Sequence, residues 1–164
     1  MMTNPDTAST VPSELDASII VCTYNRAKSL RDTLEALRRL EAAPHRTWEV
    51  LVVDNNSRDH TRAVVEEFQR HWPGLRYAFE SEQGLSHARN HGIAAARGRV
   101  ILFTDDDVLP EKDWLETTLS GLETHNADAC GGFIAPIFET PPPPWLTPRF
   151  YGFLAIRIDR QDDY

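Results

Sequence analysis

Short apolar runs alternate with helix-period segments along most of this chain, and few folds accept that alternation. A parallel strand needs a crossover to reach its neighbour, and the crossover is usually a helix, so the repeated pattern predicts βαβ units built on a parallel sheet. The first run, SIIVCT at residues 18–23, is apolar throughout, as expected of a strand buried on both faces. Behind it a helix is predicted from about Ser29 to before Pro44. Ser29 and Asp32 resemble a capping box there, and Leu30, Leu34 and Leu37 recur on one face. A second strand, WEVLVVD at residues 48–54, precedes a helix carrying Val64, Val65, Phe68 and Trp72, which Pro73-Gly74 stops. Residues 75–79 predict a third strand. Ser86 is then the expected N-cap of a helix through Arg97, closed by Gly98. The run VILFT at residues 100–104 is the fourth strand and leads straight into Asp105-Asp106-Asp107. From about Pro110 a further helix is expected, with Leu115, Leu119 and Leu122 at helical spacing. Residues 127–134 predict a fifth strand, weakened by Gly131-Gly132.

The pattern then changes. More than half of the eleven prolines fall within residues 136–148, which predicts an extended loop; residues 149–164 fit either a helix or a strand. The expected organisation is therefore a disordered tail at 1–16, one α/β domain at 17–135, and a Pro-rich loop with following chain at 136–164. The expected fold class is α/β, with a mostly parallel central sheet, helices on both faces and a Rossmann-like architecture.

Charge limits the partners. Across 164 residues, 17 Lys and Arg stand against 25 Asp and Glu, a net charge of −8. Such a chain has no basic face for nucleic acid or an anionic membrane, so any phosphate must be handled locally. No apolar run approaches the roughly 20 residues of a membrane-spanning helix, and the first residues lack the features of a signal peptide. Cys22 and Cys130 each sit in an apolar stretch without metal or disulfide spacing. They are expected to be buried thiols in a reducing cytoplasm, with attachment to the inner face of a membrane as the alternative location.

In an open parallel sheet, ligands bind outside the carboxyl ends of the strands. Three sets of polar residues fall there: Thr23, Tyr24, Asn25 and Arg26 after the first strand; Asp54, Asn55, Asn56 and Ser57 after the second; and the three aspartates after the fourth. If the chain stays extended, Asp105 and Asp107 converge while Asp106 turns away. Two carboxylates held close call for a cation, and hard oxygen ligands suit Mg²⁺ or Mn²⁺ with phosphates and water completing the shell. The alternative is an Asp-rich loop that only caps a helix. Asp54 stands where an acid commonly binds a nucleotide's ribose or base, or else opens an Asx-turn. Arg89 and Asn90, early in the third helix, are placed to meet a diphosphate or to remain solvated. His87 and His91 have i, i+4 spacing but no Glu between them as in a zinc helix, and are expected to be packing or surface residues. Trp48, Trp72 and Trp114 fit the core, whereas Trp145 lies in the Pro-rich loop, where it could stack on a sugar. No glycine-rich phosphate loop follows the first strand, which argues against dinucleotide enzymes and P-loop proteins.

The segments IIVCTYNR, EVLVVDNNSRDHT, EQGLSHARNHGIAAARG and VILFTDDD, in that order and spacing, resemble the nucleotide-binding half of glycosyltransferase family 2. The resemblance covers about residues 18–134. It implies a type A glycosyltransferase fold, a nucleotide-diphospho-sugar donor, a divalent metal (Mn²⁺ or Mg²⁺) and inversion at the anomeric carbon. It also implies a carbohydrate, lipid-linked or other hydroxyl acceptor, and a place in polysaccharide biosynthesis. Carried over by position, Thr23 and Arg26 line the nucleoside pocket, and Asp54 binds the base. Arg89 and Asn90 lie near the diphosphate, Asp105 near the ribose or phosphate, and Asp107 is the metal ligand of the DXD-type motif, with Asp105 as a second candidate. Asn25, Asn56 and Asp106 join the donor-binding set. The chain departs from the family in one respect: no general base is recognisable, since Asp159, Asp162 and Asp163 sit in no base motif. The resemblance therefore covers a donor half without an acceptor half, and an incomplete nucleotide-sugar-binding module is the first alternative. A Mg²⁺-binding receiver-type domain is the second, disfavoured because the acid cluster follows the fourth strand and no strand-end Lys appears.

Overall fold

In the computed structural model, residues 15–138 and 140–154 are described; of the tail expected at 1–16, residues 1–14 lie outside them, as do the acids Asp159, Asp162 and Asp163, whereas Leu15 and Asp16 belong to the first strand, which corrects the tail's end. The elements run β1 (Leu15–Thr23), α1 (Ala27–Leu37), β2 (Trp48–Asp54), α2 (Thr61–Gln69), β3 (Leu75–Phe79), α3 (Leu85–Ala95), β4 (Gly98–Asp105) and α4 (Trp114–His125), then a 3₁₀ helix at Pro148–Leu154. The sheet has the order β3-β2-β1-β4 and every pairing is parallel. The described residues divide into two compact units, one ending at Leu119 and one starting at Ser120.

In the first unit the alternation of side chains along β1 and β2 makes two cores. Ile19, Val21, Val50 and Val52 face Leu30, Leu34 and Leu37 of α1, Val64, Val65 and Phe68 of α2, and Leu115 and Leu119 of α4. Ile20, Leu51 and Val53 face the opposite way, onto Ala88 of α3. The helices thus cover both sheet faces, and the reason is directional. The chain steps from β1 outward to β3 and then jumps back past β1 to β4, so crossovers of one hand place α1 and α2 on one face and α3 on the other. Trp48 and Trp72 meet edge to face at 6.2 Å and pack, like Trp114, against the larger core.

Several local expectations are corrected. The start of α1 carries no side-chain cap of its own; Asp59, from another loop, accepts the Ala27 N–H at 3.0 Å, so Ser29 and Asp32 form no capping box. The N-cap of α3 is Gly84, not Ser86. Gly98 does not close that helix: it begins β4, where its missing Cβ lets the backbone of Ala17 and Ser18 approach. The last helix starts at Trp114 rather than near Pro110.

In the second unit, residues 127–134 form no strand among the described residues; only an isolated bridge residue occurs, at Ile134. Asn126 turns the chain with a φ of 45°, and the two consecutive glycines offer neither side-chain packing nor strand propensity. Cys130 is consequently exposed and Cys22 half-buried, so the expectation of two buried thiols is corrected. The segment after 148 begins as a 3₁₀ helix. Trp145 is exposed and meets the Phe150 ring edge to face at 6.5 Å.

Candidate functional site

The strand order reverses between β1 and β4, and an open α/β sheet forms its ligand crevice at such a reversal. A cleft of about 430 Å³ lies there, lined among others by Cys22, Thr23, Tyr24, Arg26, Asn55 and Asp105, Asp106 and Asp107. A larger hollow of about 570 Å³ lies between α1 and α2, lined by Arg31, Glu35, Arg38, Arg39, Glu67, Phe68 and His71. It is away from the strand ends, and its charges largely pair with one another, Arg31 with Glu67 at 2.7 Å and Arg39 with Glu35 at 3.8 Å. We therefore place the functional site in the smaller cleft.

β4 ends at Asp105 and the chain turns at Asp106 and Asp107, so the extended alternation expected of the three acids stops after the first. Asp105 and Asp107 are exposed; Asp106 is buried. Thr23 Oγ1 donates to Asp106 Oδ2 at 2.7 Å, and the Arg26 guanidinium donates to Asp106 Oδ1 at 3.0 Å and to Asp107 Oδ2 at 2.9 Å. The pair bridged by a cation is thus Asp106 and Asp107, a correction to the expected convergence of Asp105 and Asp107 alone. Burial pushes the Asp106 carboxyl above its ordinary range although Thr23 and Arg26 pull it down. The nearby Asp106 carboxylate, opposed by desolvation, holds the Arg26 guanidinium above its usual value.

Asp54 closes β2 and is buried. Its Oδ1 accepts the Ser57 N–H at 2.8 Å, an Asx-type turn, and its Oδ2 accepts the Tyr77 hydroxyl at 2.9 Å. Burial, and then the bond to Asp54, raise the Tyr77 phenol well above its usual pKa. Asn25 and Asn56 both have positive φ, 53° and 66°, a conformation Asn tolerates better than most residues. The Asn25 side chain also accepts the Arg58 N–H at 2.7 Å. Arg89 is exposed, with its guanidinium 5.8 Å from the Phe103 ring centre. Its positive charge acts on Cys22, whose thiol burial nevertheless pushes up to about 11, so it stays protonated at neutral pH. Asn90 is exposed on the same helix. His87 and His91 face acids, Glu82 at 3.4 Å and Glu80 at 3.1 Å.

Two structural roles were missed from sequence. Asn55, buried, donates from Nδ2 to the Glu80 and Glu82 carbonyls at 3.3 and 2.7 Å and accepts the Gly84 N–H on Oδ1 at 2.8 Å. That one side chain fastens the loop that brings Gln83, Gly84 and Leu85 to the cleft. Tyr77 fastens Asp54 in the same way. The signal available was position alone: Asn55 follows a strand-end acid, but its partners come from the next βα loop.

Hard carboxylate oxygens at Asp105 and Asp107 on an open cleft suit Mg²⁺ or Mn²⁺, and the guanidinium bridging Asp106 and Asp107 already holds positive charge there. Among the described residues no three His, Cys, Asp or Glu side chains form a group that could hold a metal ion. Asp105 and Asp107 at the cleft are a donor set of the kind Mg²⁺ takes when phosphates and water complete its shell.

An all-parallel sheet with an acid cluster at its reversal point is the architecture of a nucleotide-diphospho-sugar transferase, which sets the class. The model of glycosyl transferase family 2 matches residues 18–163, and the chain belongs to that family. It is 35% identical over 116 residues to the glycosyltransferase AglE of Haloferax volcanii, covering 70% of this chain and 38% of AglE. It is 30% identical over 138 residues to the succinoglycan biosynthesis protein ExoM of Rhizobium meliloti, covering 83% of this chain and 44% of ExoM. Among solved structures, S. aureus TarS (residues 1–349) in complex with UDP superposes with a TM-score of 0.69 at 26% identity, over 79% of this chain and 38% of that one. The mannosyltransferase PcManGT of Pyrobaculum calidifontis, in complex with GDP-Man and Mn²⁺, superposes with a TM-score of 0.61 at 30% identity, over 68% of this chain and 33% of that one. The chain thus spans less than half the length of each of these relatives. No helix among the described residues is long and apolar enough to cross a membrane.

Proposed function

We propose that this chain binds a nucleotide-diphospho-sugar and serves an inverting, divalent-metal-dependent transfer of the sugar to an acceptor hydroxyl. The observation that carries the reading is the meeting of Thr23, Arg26 and the three aspartates at the β1–β4 reversal, in a cleft open to solvent. Thr23, Asn25, Arg26, Asp54 and Asn56 form the nucleoside end. Asp54 acts there as a buried anchor whose carboxylate fixes the turn at Ser57 and the Tyr77 ring. Arg89 and Asn90 serve the diphosphate, and Asp105 and Asp106 the ribose and phosphate. Asp107, with Asp105, would hold Mn²⁺ or Mg²⁺, and a bound ion there supplies Lewis-acid neutralisation of charge on the departing nucleoside diphosphate. A solved relative in complex with GDP-Man and Mn²⁺ supports that choice of ligand and ion.

The coverage of the relatives, 38% of AglE and 44% of ExoM, favours a second reading. Here the chain contributes donor binding, while the base that deprotonates the acceptor lies outside the residues described. Turnover of a sugar nucleotide by this chain with a supplied acceptor separates the two readings.

The test of donor binding is thermal stability with UDP, GDP, dTDP and CDP, each with and without Mn²⁺, beside an Asp107→Ala variant. A ligand specific to the folded state stabilises by about 2.7 kcal/mol at a hundredfold excess over Kd. The expected result is a metal-dependent shift with one nucleotide that the variant loses. No shift with any nucleotide would overturn the proposal.

A further inference from the structure

We infer that Arg26 is the counter-cation of the Asp106–Asp107 pair, and that its bond to Asp107 competes with a divalent ion for that carboxylate, so that metal and nucleotide reinforce each other's binding through Arg26. The inference rests on the reading of Asp107 as the metal ligand.

The two halves of the Arg26 bridge are unequal. Nη1 bonds the Asp106 carboxylate, whose side chain is only 5% exposed and whose other oxygen Thr23 holds. Nη2 bonds Asp107, where both side chains are about half exposed, 50% and 48%. A buried charge stripped of its partner is costly, whereas a solvated ion pair is worth little. The bridge therefore has an anchored end at Asp106 and a releasable end at Asp107. Backbone geometry keeps the anchor in place: Arg26 is the N-cap of α1, and its carbonyl accepts the Leu30 N–H at 2.9 Å.

Nη2 holds Oδ2 of Asp107, so the carboxylate shares its charge with the guanidinium, and that positive charge repels a divalent ion brought to the same carboxylate. A nucleoside diphosphate in the cleft offers Arg26 a second anion, and a guanidinium pairs well with phosphate oxygens. Transfer of the releasable end from Asp107 to phosphate frees the carboxylate for the ion. A coupling of this kind is reciprocal: the nucleotide raises metal affinity by the factor with which the metal raises nucleotide affinity.

The experiment measures Mn²⁺ binding directly, by titration of the free-ion EPR signal, in wild type, Arg26→Met, Arg26→Lys and Asp107→Asn, with and without UDP and GDP. Circular dichroism identifies variants that fail to fold. In the absence of nucleotide, Arg26→Met should bind Mn²⁺ about two- to fivefold more tightly than wild type, as expected from loss of a half-exposed pair. The enhancement that nucleotide gives wild type should shrink in this variant. Arg26→Lys, a point charge that cannot bridge two carboxylates, should fall between them, and it carries the test if Arg26→Met does not fold. Equal or weaker Mn²⁺ binding without nucleotide in Arg26→Met or, where only that variant folds, in Arg26→Lys overturns the inference. If Asp107→Asn abolishes binding in that same case, the metal reading stands and only the role of Arg26 falls. Absence of Mn²⁺ binding in every sample overturns both.

Discussion

Thr23 Oγ1 donates a 2.7 Å hydrogen bond to Asp106 Oδ2 across 83 positions of sequence, joining the ends of β1 and β4 at the point where strand order reverses. The bond supports a carboxylate that burial pushes toward its neutral form. Thr23→Val should destabilise the protein by about 1–3 kcal/mol at neutral pH, the typical result of removing a partner from a buried charged acceptor. The loss should be smaller at acid pH, where Asp106 is protonated. A folded-state pKa above the unfolded one gives stability that is complete below the ordinary carboxylate value and lost as pH rises through the raised one. Asp106→Asn should remove that loss. Urea midpoints of wild type and both variants at neutral and acid pH check this, and an equal Thr23→Val effect at both would contradict it.

Asn55 makes a second prediction, because its amide meets a carbonyl, a carbonyl and an N–H with the correct polarity at each. Asn55→Ala should cost about 1–3 kcal/mol and expose the loop at 80–84. Hydrogen exchange should accelerate at the Gly84 amide well beyond any change in the β1–β2 core. Asn55→Asp, which sets a carboxylate against two carbonyls, should not rescue the loop. Unchanged protection at Gly84 in both variants would remove the proposed fastening role.

The Glu80–His91 contact at 3.1 Å carries a pH signature of the opposite sign. The Glu82 N–H first, and then His91, hold the Glu80 carboxyl below its ordinary range. A depressed acid stabilises above its unfolded pKa, and that contribution is lost as pH falls through the folded value. Between about pH 6 and about pH 3, the span in which a carboxylate titrates, melting temperature should fall less steeply in Glu80→Gln than in wild type. Parallel curves would show that the contact does not contribute.

The sheet was largely legible in the sequence, because the runs at 18–23, 48–54, 75–79 and 100–104 are mostly apolar and α1 and α2 each carry an apolar face, whereas α3 buries only Ala88 and Gly92. One kind of error falls where the deciding atoms are distant in sequence. Asp59 caps α1 from another loop, and no local pattern near Ser29 contains that information. Residues 127–134 have strand-like composition, but Asn126 in the left-handed region and the glycine pair leave them outside the sheet. At the site, the positions of the three aspartates could be read, but their orientation could not. It depends on the turn at Asp106 and on Arg26, 80 residues away in sequence.

The last prediction concerns the two glycines that let α3 and β4 close on the sheet, and it follows from what each would meet as alanine. At Gly98 a Cβ would fall onto the backbone of Ala17 and Ser18, and the Gly98 N–H already bonds Ser18 Oγ at 2.8 Å. Backbone cannot rotate away, so Gly98→Ala should cost at least about 3 kcal/mol, beyond the usual range for overpacking. At Gly92 the Cβ would lie 2.7 Å from Ile20 Cγ2, a side-chain atom of the smaller core. A side chain can repack, so Gly92→Ala should cost about 1–3 kcal/mol. Paired with Ile20→Ala it should cost less than the sum of the single changes, since the second substitution removes the atoms in conflict. Denaturant unfolding of the three single variants and the double checks both claims. Strict additivity of Gly92→Ala with Ile20→Ala would mean that the helix moves off the sheet instead, and the cleft residues on α3 would move with it.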